Sequence, residues 1–232
     1  MKHPLEPAYV LHARPFSETS LIVDVLTRHH GRLNLMAKGA KRPKSTKQAL
    51  LQPFYPVLIA WAGRSELQTL TTIESRDQAN RLQGNALMCG LYVNELLVKI
   101  LGKHDPYPQL YDAYEHIIRQ LSVSDNAEQY LRRFELTLVK QLGYELSAYH
   151  VEPDAYYMFS IDSGFVKVIR SVDTTELFKG LELISVLHVD CLSADSLPIA
   201  KRLMRVVLRS LLQGKSINSR ELFILMSQDV KL

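Results

Sequence analysis

Val25 to Ser65 reads VLTRHHGRLNLMAKGAKRPKSTKQALLQPFYPVLIAWAGRS, and this run contains neither Asp nor Glu. Besides the adjacent pair His29 and His30, it carries eight basic residues, which are Arg28, Arg32, Lys38, Lys41, Arg42, Lys44, Lys47 and Arg64. Over the rest of the chain acidic and basic residues are mixed. Because like charges repel one another, such a surface is most easily explained if a polyanion binds to it.

Three stretches ahead of and inside this run alternate between apolar and polar residues. This alternation is typical of half-buried strands, and it predicts strands at Tyr9–Arg14, Leu21–Leu26 and Arg32–Lys38. The residues expected to share one face are Tyr9, Leu11 and Ala13 in the first strand, Leu21, Val23 and Val25 in the second, and Leu33, Leu35 and Ala37 in the third.

The pattern after the third strand changes to that of a short helix, Pro43–Leu51, with Ser45 as its expected cap. Two further strands follow, Tyr55–Trp61 and Leu67–Ile73, joined by a hairpin around Gly63. Three strands, a helix and two strands is the order of an OB-fold barrel, although another small barrel can have the same order.

The remainder of the chain is predicted to be mainly helical. Apolar residues at helical spacing mark one helix ending before Gly102, one opened by Pro106 and Pro108, and a third at Ala127–Leu142 with Ser124 or Asp125 as its cap. A β-hairpin is expected at Ala155–Ile161 and Gly164–Ile169, and further helices at Thr174–Gly180, Leu197–Leu212 and Ser219–Met226.

These elements predict an α+β fold in two domains. Residues 1–80 form a five-stranded OB-fold barrel that binds nucleic acid, and residues 81–232 form a mainly helical domain with a β-hairpin near 155–169. With 47% hydrophobic and 22% charged residues, the 232-residue chain can build a core, and its net charge of +4 is compatible with nucleic acid.

No motif of the chain indicates catalysis or a cofactor. There is no Walker loop, no dinucleotide glycine fingerprint and no HExxH, and the two cysteines, Cys89 and Cys191, lie far apart. If His29 and His30 are strand neighbours, their side chains point to opposite faces, which argues against a shared metal. We therefore expect no enzyme activity, cofactor or metal. Without an apolar signal or membrane span, we expect a cytoplasmic protein associated with the nucleoid.

Seven short segments together resemble the RecO family of recombination mediators. They are Val10–Leu21, Ala37–Ala40, Leu51–Phe54, Gly90–Leu97, Arg132–Glu135, Leu142–Tyr144 and Ser219–Leu222, and they occur in the expected order. The resemblance implies DNA repair and recombination: binding of single- and double-stranded DNA, annealing of complementary strands and, with RecR, loading of RecA onto DNA coated by single-strand-binding protein. Some members carry a cysteine-rich zinc motif in the C-terminal third, where this chain has only Cys191.

Two sets of candidate binding residues follow. A positive groove on a barrel can track phosphates without reading sequence, and the DNA candidates are Arg32, Lys38, Lys41, Arg42, Lys44 and Lys47, with Arg14 and Arg64. The resemblance also implies binding of the acidic, aromatic-ended tail of single-strand-binding protein. The candidates for that tail are the helical stripe Lys201, Arg202, Arg205 and Arg209 beside Leu203 and Val207, with Arg132 and Arg133.

The sequence leaves three alternatives open. The basic stripe on the helix at Leu197–Leu212 is also compatible with a plain solvated face. A nuclease would use the barrel only to hold its substrate and would need clustered carboxylates for a metal. An RNA-binding or ribosome-associated OB-fold protein would show the same barrel. Competition between single-stranded DNA and RNA of equal length discriminates between a DNA-binding and an RNA-binding protein.

Overall fold

The computed structural model describes residues 3–124, 126–144, 146–169, 174–187 and 192–219. These residues form two compact units. The first comprises the described residues of Met1–Asp125 and Ile217–Leu232, and the second those of Asn126–Ser216. The domain boundary expected at residue 80 stays a prediction. The helix expected at Ser219–Met226 lies, beyond Ser219, outside the described residues.

The first unit contains a closed five-stranded barrel. Its strands are β1 (Glu6–Pro15), β2 (Leu21–Thr27), β3 (Gly31–Ala37), β4 (Pro56–Ala62) and β5 (Gln68–Ser75), with the short helix α1 (Lys47–Leu50) between β3 and β4. Around the barrel the order is β1-β2-β3-β5-β4, where β3 and β5 pair in parallel and the other neighbours are antiparallel. The predicted OB-fold is confirmed.

The interior of the barrel follows the predicted alternation in β2 and β3. Val23 and Val25 face inward, and Leu33 and Leu35 are 1% and 0% exposed. Asn34, between these two leucines, is half-buried on the other face of β3. The predicted register of the third strand is therefore correct.

The alternation predicted for the first strand is wrong because β1 contains a bulge. Val10 pairs with Val25 whereas His12 pairs with Asp24, so Leu11 is an extra residue without a partner in β2. A bulge shifts the residues beyond it to the opposite face. Consequently Val10 and Ala13 both contribute to the barrel core, and Leu11 is buried outside that cluster.

The helix predicted at Pro43–Leu51 is shorter than expected. Lys44 has a φ of 68°, a left-handed conformation that a right-handed helix cannot contain, so α1 cannot begin before this residue. The N-cap position is taken by Thr46, whose side chain makes no capping hydrogen bond, and not by the predicted Ser45.

Two helices cover the outer side of β1 in the same unit. They are α2 (Gly84–Ile100) and α3 (Pro108–Val123). The amide of Asn94 donates to the carbonyl oxygen of Leu11 at 2.9 Å, and the Tyr114 hydroxyl donates to the Asn94 side-chain oxygen at 2.8 Å. These buried bonds satisfy the carbonyl of the bulged residue Leu11 and connect β1, α2 and α3.

A second polar group links the barrel to α3. The Tyr9 hydroxyl donates to Glu115 at 3.1 Å, and Arg76 bonds both to Glu115 and to the Tyr111 hydroxyl. Burial, with Tyr111 beside it, raises the pKa of Tyr9 to about 12, so the hydroxyl stays a neutral donor over the physiological range. The outer face of β1 around Tyr9 and Leu11 is thus an internal surface of the unit.

The second unit combines helices with a small sheet. Its elements are α4 (Ala127–Gln141), β6 (Tyr156–Ser160), β7 (Gly164–Val168), β8 (Leu177–Lys179), α5 (Gly180–Leu187) and α6 (Ser196–Leu212), with the sheet in the order β7-β6-β8. The predicted hairpin is formed by β6 and β7. Ser124 closes α3 and Asn126 occupies the N-cap of α4, so the predicted Ser124 cap is wrong, and Asp125 lies outside the described residues.

The helix predicted at Thr174–Gly180 is wrong. Leu177 and Phe178 pair with β6 as the strand β8, and the helix begins only at Gly180. Sheet pairing and burial of these two apolar residues outweigh their local helical propensity. Within the described parts of the chain, no helix is both long and apolar enough to cross a membrane.

Candidate nucleic-acid interface

The ends of β1, β2 and β3 meet at one end of the barrel. Pro15 pairs with Leu21, and Leu21 pairs with Ala37. This pairing places the β1–β2 loop, residues 16–20, beside the segment 38–46 that follows β3. The backbone N–H of Lys41 donates to the carbonyl oxygen of Thr19 at 3.0 Å. The Lys41 ammonium group donates to the carbonyl oxygen of Ser17 at 3.2 Å.

Five exposed basic side chains lie on these strand ends and on the segment after β3. They form what we call the basic cluster: Arg14, Lys38, Lys41, Arg42 and Lys44. The side chain of Arg42 packs against Gly39, whose φ of 71° lies in the left-handed region that favours glycine. None of the five forms an ion pair with a described residue. Their positive charges are therefore available to a polyanion.

Arg32, the first DNA candidate of the predicted set, has a structural role instead. Its guanidinium donates to Asp24 at 2.8 Å and to the carbonyl oxygen of Leu101 at 3.2 Å, and its side chain is only 11% exposed. An ion pair this buried leaves little charge for a ligand. The sequence already contains the signal, because the register of β2 and β3 puts Asp24 diagonally opposite Arg32.

The two remaining DNA candidates lie outside the basic cluster. Lys47 is half-buried in α1. Arg64 is exposed in the β4–β5 loop, where Glu66 pairs with Lys103. The backbone of Lys103 in turn forms an isolated β-bridge with that of Arg32, near the start of β3. Arg64 therefore lies towards the opposite end of β3 from the basic cluster.

Part of the barrel face that OB-folds commonly use is covered by the chain itself. That face is formed by the second and third strands. Here Asp24 and Leu26 point outward from β2 but are 7% and 2% exposed, and the N–H of His104 donates to the carbonyl oxygen of Arg32 at 3.0 Å. The end of α2 and the turn after it thus occupy this part of the face. The free positive surface is at the end of the strands.

The adjacent histidines lie in a turn after β2, which corrects the expectation that they are strand neighbours with opposed side chains. The Nδ1 atoms of His29 and His30 lie 3.0 and 3.8 Å from the same oxygen of the buried Glu6. His3 stacks on Trp61 nearby, with 4.5 Å between the ring centroids. Among the described residues, no group of three or more His, Cys, Asp or Glu side chains has the arrangement of a metal site.

The basic stripe of α6 is largely neutralised within the second unit. Lys201 pairs with Glu128 at 3.0 Å, Arg202 with Glu182 at 2.7 Å and Arg209 with Glu176 at 2.5 Å. The stripe itself contains no acidic residue, but three glutamates from α4, α5 and the segment before β8 pair with it. Arg205 is exposed and has no ion-pair partner among the described residues.

The apolar members of the tail candidates are core residues. Leu203 and Val207 are each 0% exposed, so they cannot form the surface pocket for which they were selected. Arg132 is also buried, 2.8 Å from Glu135, whereas Arg133 is exposed. Because apolar residues of an amphipathic helix face the core, the apolar residues next to a charged stripe are those least available to a partner. The tail site as a whole stays a prediction.

Glu95 of α2 holds the segment at residues 217–219. Its carboxylate accepts hydrogen bonds from the backbone N–H of Asn218 and from the N–H and hydroxyl of Ser219, and it pairs with Lys99. Burial alone would raise the pKa of Glu95, but the hydrogen bonds from Lys99, Ser219 and Asn218 outweigh it and lower the pKa to about 2. Ser219, expected as a helix cap, is thus tied to α2.

The Glu95→Gln variant is expected to loosen the 217–219 segment by about 1–3 kcal/mol, because charge-assisted hydrogen bonds become neutral ones. Since the pKa of the carboxyl is lower in the folded chain than its ordinary 4.5, its stabilising effect is present above that value and is lost as the pH falls towards about 2. Hydrogen exchange at the amides of Asn218 and Ser219 measures this. Glu66→Gln, at an exposed pair, is the control, and equal protection in both variants would contradict the assignment.

Two profiles of known proteins cover most of the chain. Residues 1–79 match the family described as Recombination protein O N terminal, and residues 81–150 match Recombination protein O C terminal. The two matches meet where the barrel gives way to the helices.

Full-length relatives agree with these profiles. The chain is 37% identical over 230 residues to the DNA repair protein RecO of Cellvibrio japonicus, covering 96% of this chain and 98% of that protein. It is 38% identical over 231 residues to the RecO of Aliivibrio salmonicida, covering 97% of each. It is 41% identical over 232 residues to that of Polynucleobacter asymbioticus, covering 94% and 95%. With this identity along nearly the whole length, the chain belongs to the RecO family of DNA repair proteins.

Proposed function

We propose that this protein binds single- and double-stranded DNA through the basic cluster and anneals complementary strands. The observation that supports this most directly is the group of five exposed basic side chains, none of them in an ion pair with a described residue, at one end of an OB-fold barrel. Contacts to phosphates depend on charge and spacing and not on base identity, so binding of this kind is independent of sequence.

Annealing by such a surface requires no covalent step. Two complementary strands repel each other through their phosphates, and a surface that neutralises both holds them close enough to pair. The protein therefore contributes binding and charge, while base pairing supplies the specificity. On this basis we propose no enzyme activity, no metal and no cofactor for the function.

The proposed partners follow from membership of the family. With RecR, the protein helps to load RecA onto DNA coated by single-strand-binding protein, whose acidic tail binds on α6. Arg205, which has no ion-pair partner among the described residues, contacts the tail directly. The other basic residues of the stripe exchange their carboxylate partners for carboxylates of the tail; these are Lys201, Arg202 and Arg209. The terminal aromatic ring of the tail binds at a site other than Leu203 and Val207, which are buried.

An annealing assay tests the proposed function. Complementary oligonucleotides are mixed with the protein, with and without single-strand-binding protein, and duplex formation is followed over time. Acceleration in both conditions supports the proposal, and no acceleration in either refutes it. Competition between DNA and RNA single strands of equal length tests the RNA-binding alternative, which predicts preference for RNA.

The tail site gives a separate prediction. Arg205→Ala/Arg209→Ala is expected to weaken binding of the tail peptide by roughly 2- to 30-fold, because two exposed charge contacts contribute about 0.2–1 kcal/mol each. Lys41→Ala/Arg42→Ala removes the same charge from the barrel and is expected to leave peptide binding unchanged. Fluorescence titration of a labelled peptide measures both. If the barrel variant loses the peptide and the α6 variant keeps it, the tail binds at the barrel.

A further inference from the structure

An exposed aromatic ring lies beside the basic cluster. Phe16, the first residue of the β1–β2 loop, is 53% exposed, whereas Phe54, Phe134 and Phe178 are buried. A single exposed apolar residue is common on protein surfaces and means little alone. Phe16 differs because Arg14 precedes it by two residues and because its loop is bonded to Lys41.

The loop that carries Phe16 is fixed in place. The N–H groups of Phe16 and Ser17 both donate to the carbonyl oxygen of Ser20, at 3.1 and 3.4 Å. Lys41 then bonds to the carbonyl oxygens of Ser17 and Thr19 through its side chain and its backbone N–H. These bonds fix the backbone of the loop beside Lys41, so a ligand that contacts both Phe16 and the basic cluster need not order the loop on binding.

We infer that Phe16 is a stacking platform for an unpaired base of single-stranded DNA whose phosphates lie on the basic cluster. Single-strand-binding surfaces combine positive charges along the backbone with aromatic rings on which bases stack. The inference rests on the proposed DNA binding and adds a preference for single strands. In a duplex the faces of the bases are already stacked on their neighbours, so Phe16 has no base to receive.

Stacking on Phe16 is compatible with annealing. The ring contacts only the face of a base and leaves its Watson–Crick edge free. A second strand held by the same basic cluster can therefore pair with a base that is stacked on the loop. The platform thus presents an unpaired strand in a form that is ready for its complement.

The test compares Phe16→Ala with wild type on single- and double-stranded DNA. Single-strand affinity is expected to fall by roughly 5- to 100-fold, in line with measured stacking energies, and double-strand affinity is expected to stay within about twofold. The salt dependence of single-strand binding is expected to keep its slope, because no phosphate contact is removed. Leu5→Ala, which truncates another exposed apolar side chain at the other end of β1, is the control and is expected to change neither affinity.

Two further variants identify the contact as stacking. Phe16→Leu, which is apolar but not aromatic, is expected to lose single-strand affinity as Phe16→Ala does, while Phe16→Trp retains it. Trp61 is the only tryptophan of the chain and is 1% exposed, so quenching of Phe16→Trp emission by single-stranded DNA reports on the loop. Quenching supports the inference, and an unchanged spectrum at saturation overturns it.

The outcomes separate this inference from the proposed function. If Phe16→Ala binds single strands as wild type does while Lys41→Ala/Arg42→Ala/Lys44→Ala loses them, the stacking platform is overturned and DNA binding at the cluster stands. If neither variant loses affinity, both fail. Equal losses on single and double strands overturn the inference. So does a change of self-association in Phe16→Ala with intact DNA binding, because the ring would then contact protein.

Discussion

The triple variant Lys41→Ala/Arg42→Ala/Lys44→Ala is expected to bind single-stranded DNA about 100-fold more weakly than wild type at 0.1 M salt. Each phosphate contact on a single strand contributes about 0.7 to the slope of log affinity against log salt, so three lost contacts lower the slope by about 2. At higher salt the affinities of variant and wild type converge. Fluorescence anisotropy over a series of salt concentrations measures both the affinity and the slope.

A matched control separates the basic cluster from net charge. Arg81→Ala/Arg119→Ala/Lys140→Ala removes three exposed basic side chains outside the cluster and changes the net charge of the chain by the same amount. It is expected to change the slope little. Both variants are expected to melt at the wild-type temperature, since all six side chains are exposed. Equal binding losses in the two triple variants would show that the cluster has no special role.

The barrel could be predicted from sequence because the inward-facing residues of β2 and β3 recur at every second position. Val23, Val25, Leu33 and Leu35 are inward in the structure, as expected, and this also fixes the positions of the loops at the strand ends. Lys38 and Lys41 follow directly from the end of β3. A local pattern was therefore sufficient to locate most of the basic cluster.

The errors arose where a residue's role depends on a partner distant in sequence. The sequence around Leu11 does not distinguish a bulged strand from a regular one, since Tyr9, Val10 and Leu11 are all suitable for burial. The bulge becomes visible only from the pairing with β2 and from the bond between Asn94 and the Leu11 carbonyl. A residue on the outer face of a barrel is buried when a helix covers it, and period-two alternation contains no such information.

Charged residues illustrate the same limit. Arg32 and Arg202 both look available in a list of basic residues, yet Asp24 and Glu182 neutralise them in the folded chain. The first partner could have been anticipated from the register of adjacent strands. The second, on α5, is 20 residues away along the chain and could not have been. Basic residues that form no ion pair in the folded chain are therefore better candidates for a binding surface than basic residues chosen only because many lie close together in sequence.

Leu35→Ala is expected to destabilise the barrel by about 2–5 kcal/mol. Leu35 is 0% exposed and pairs with Val23 on one side and with Gln68 on the other, so it lies where β3 joins β2 to β5 and closes the barrel. Truncation leaves a cavity that the closed strands cannot collapse to fill. Since a domain has only about 5–15 kcal/mol of stability, a fall of the melting temperature by about 5–15 °C is expected.

Asn34→Ala is the control for Leu35→Ala, at the neighbouring position on the other face of β3. The side-chain oxygen of Asn34 is buried without a hydrogen-bond partner among the described residues, so its removal is expected to change stability by less than about 1 kcal/mol. Chemical denaturation of both variants, followed by circular dichroism, gives the two free energies of unfolding. A large loss of stability for Asn34→Ala together with a small one for Leu35→Ala would mean that the register assigned to β3 is wrong by one residue. Such a shift would exchange its two faces and, with them, the side of the barrel from which Lys38 extends.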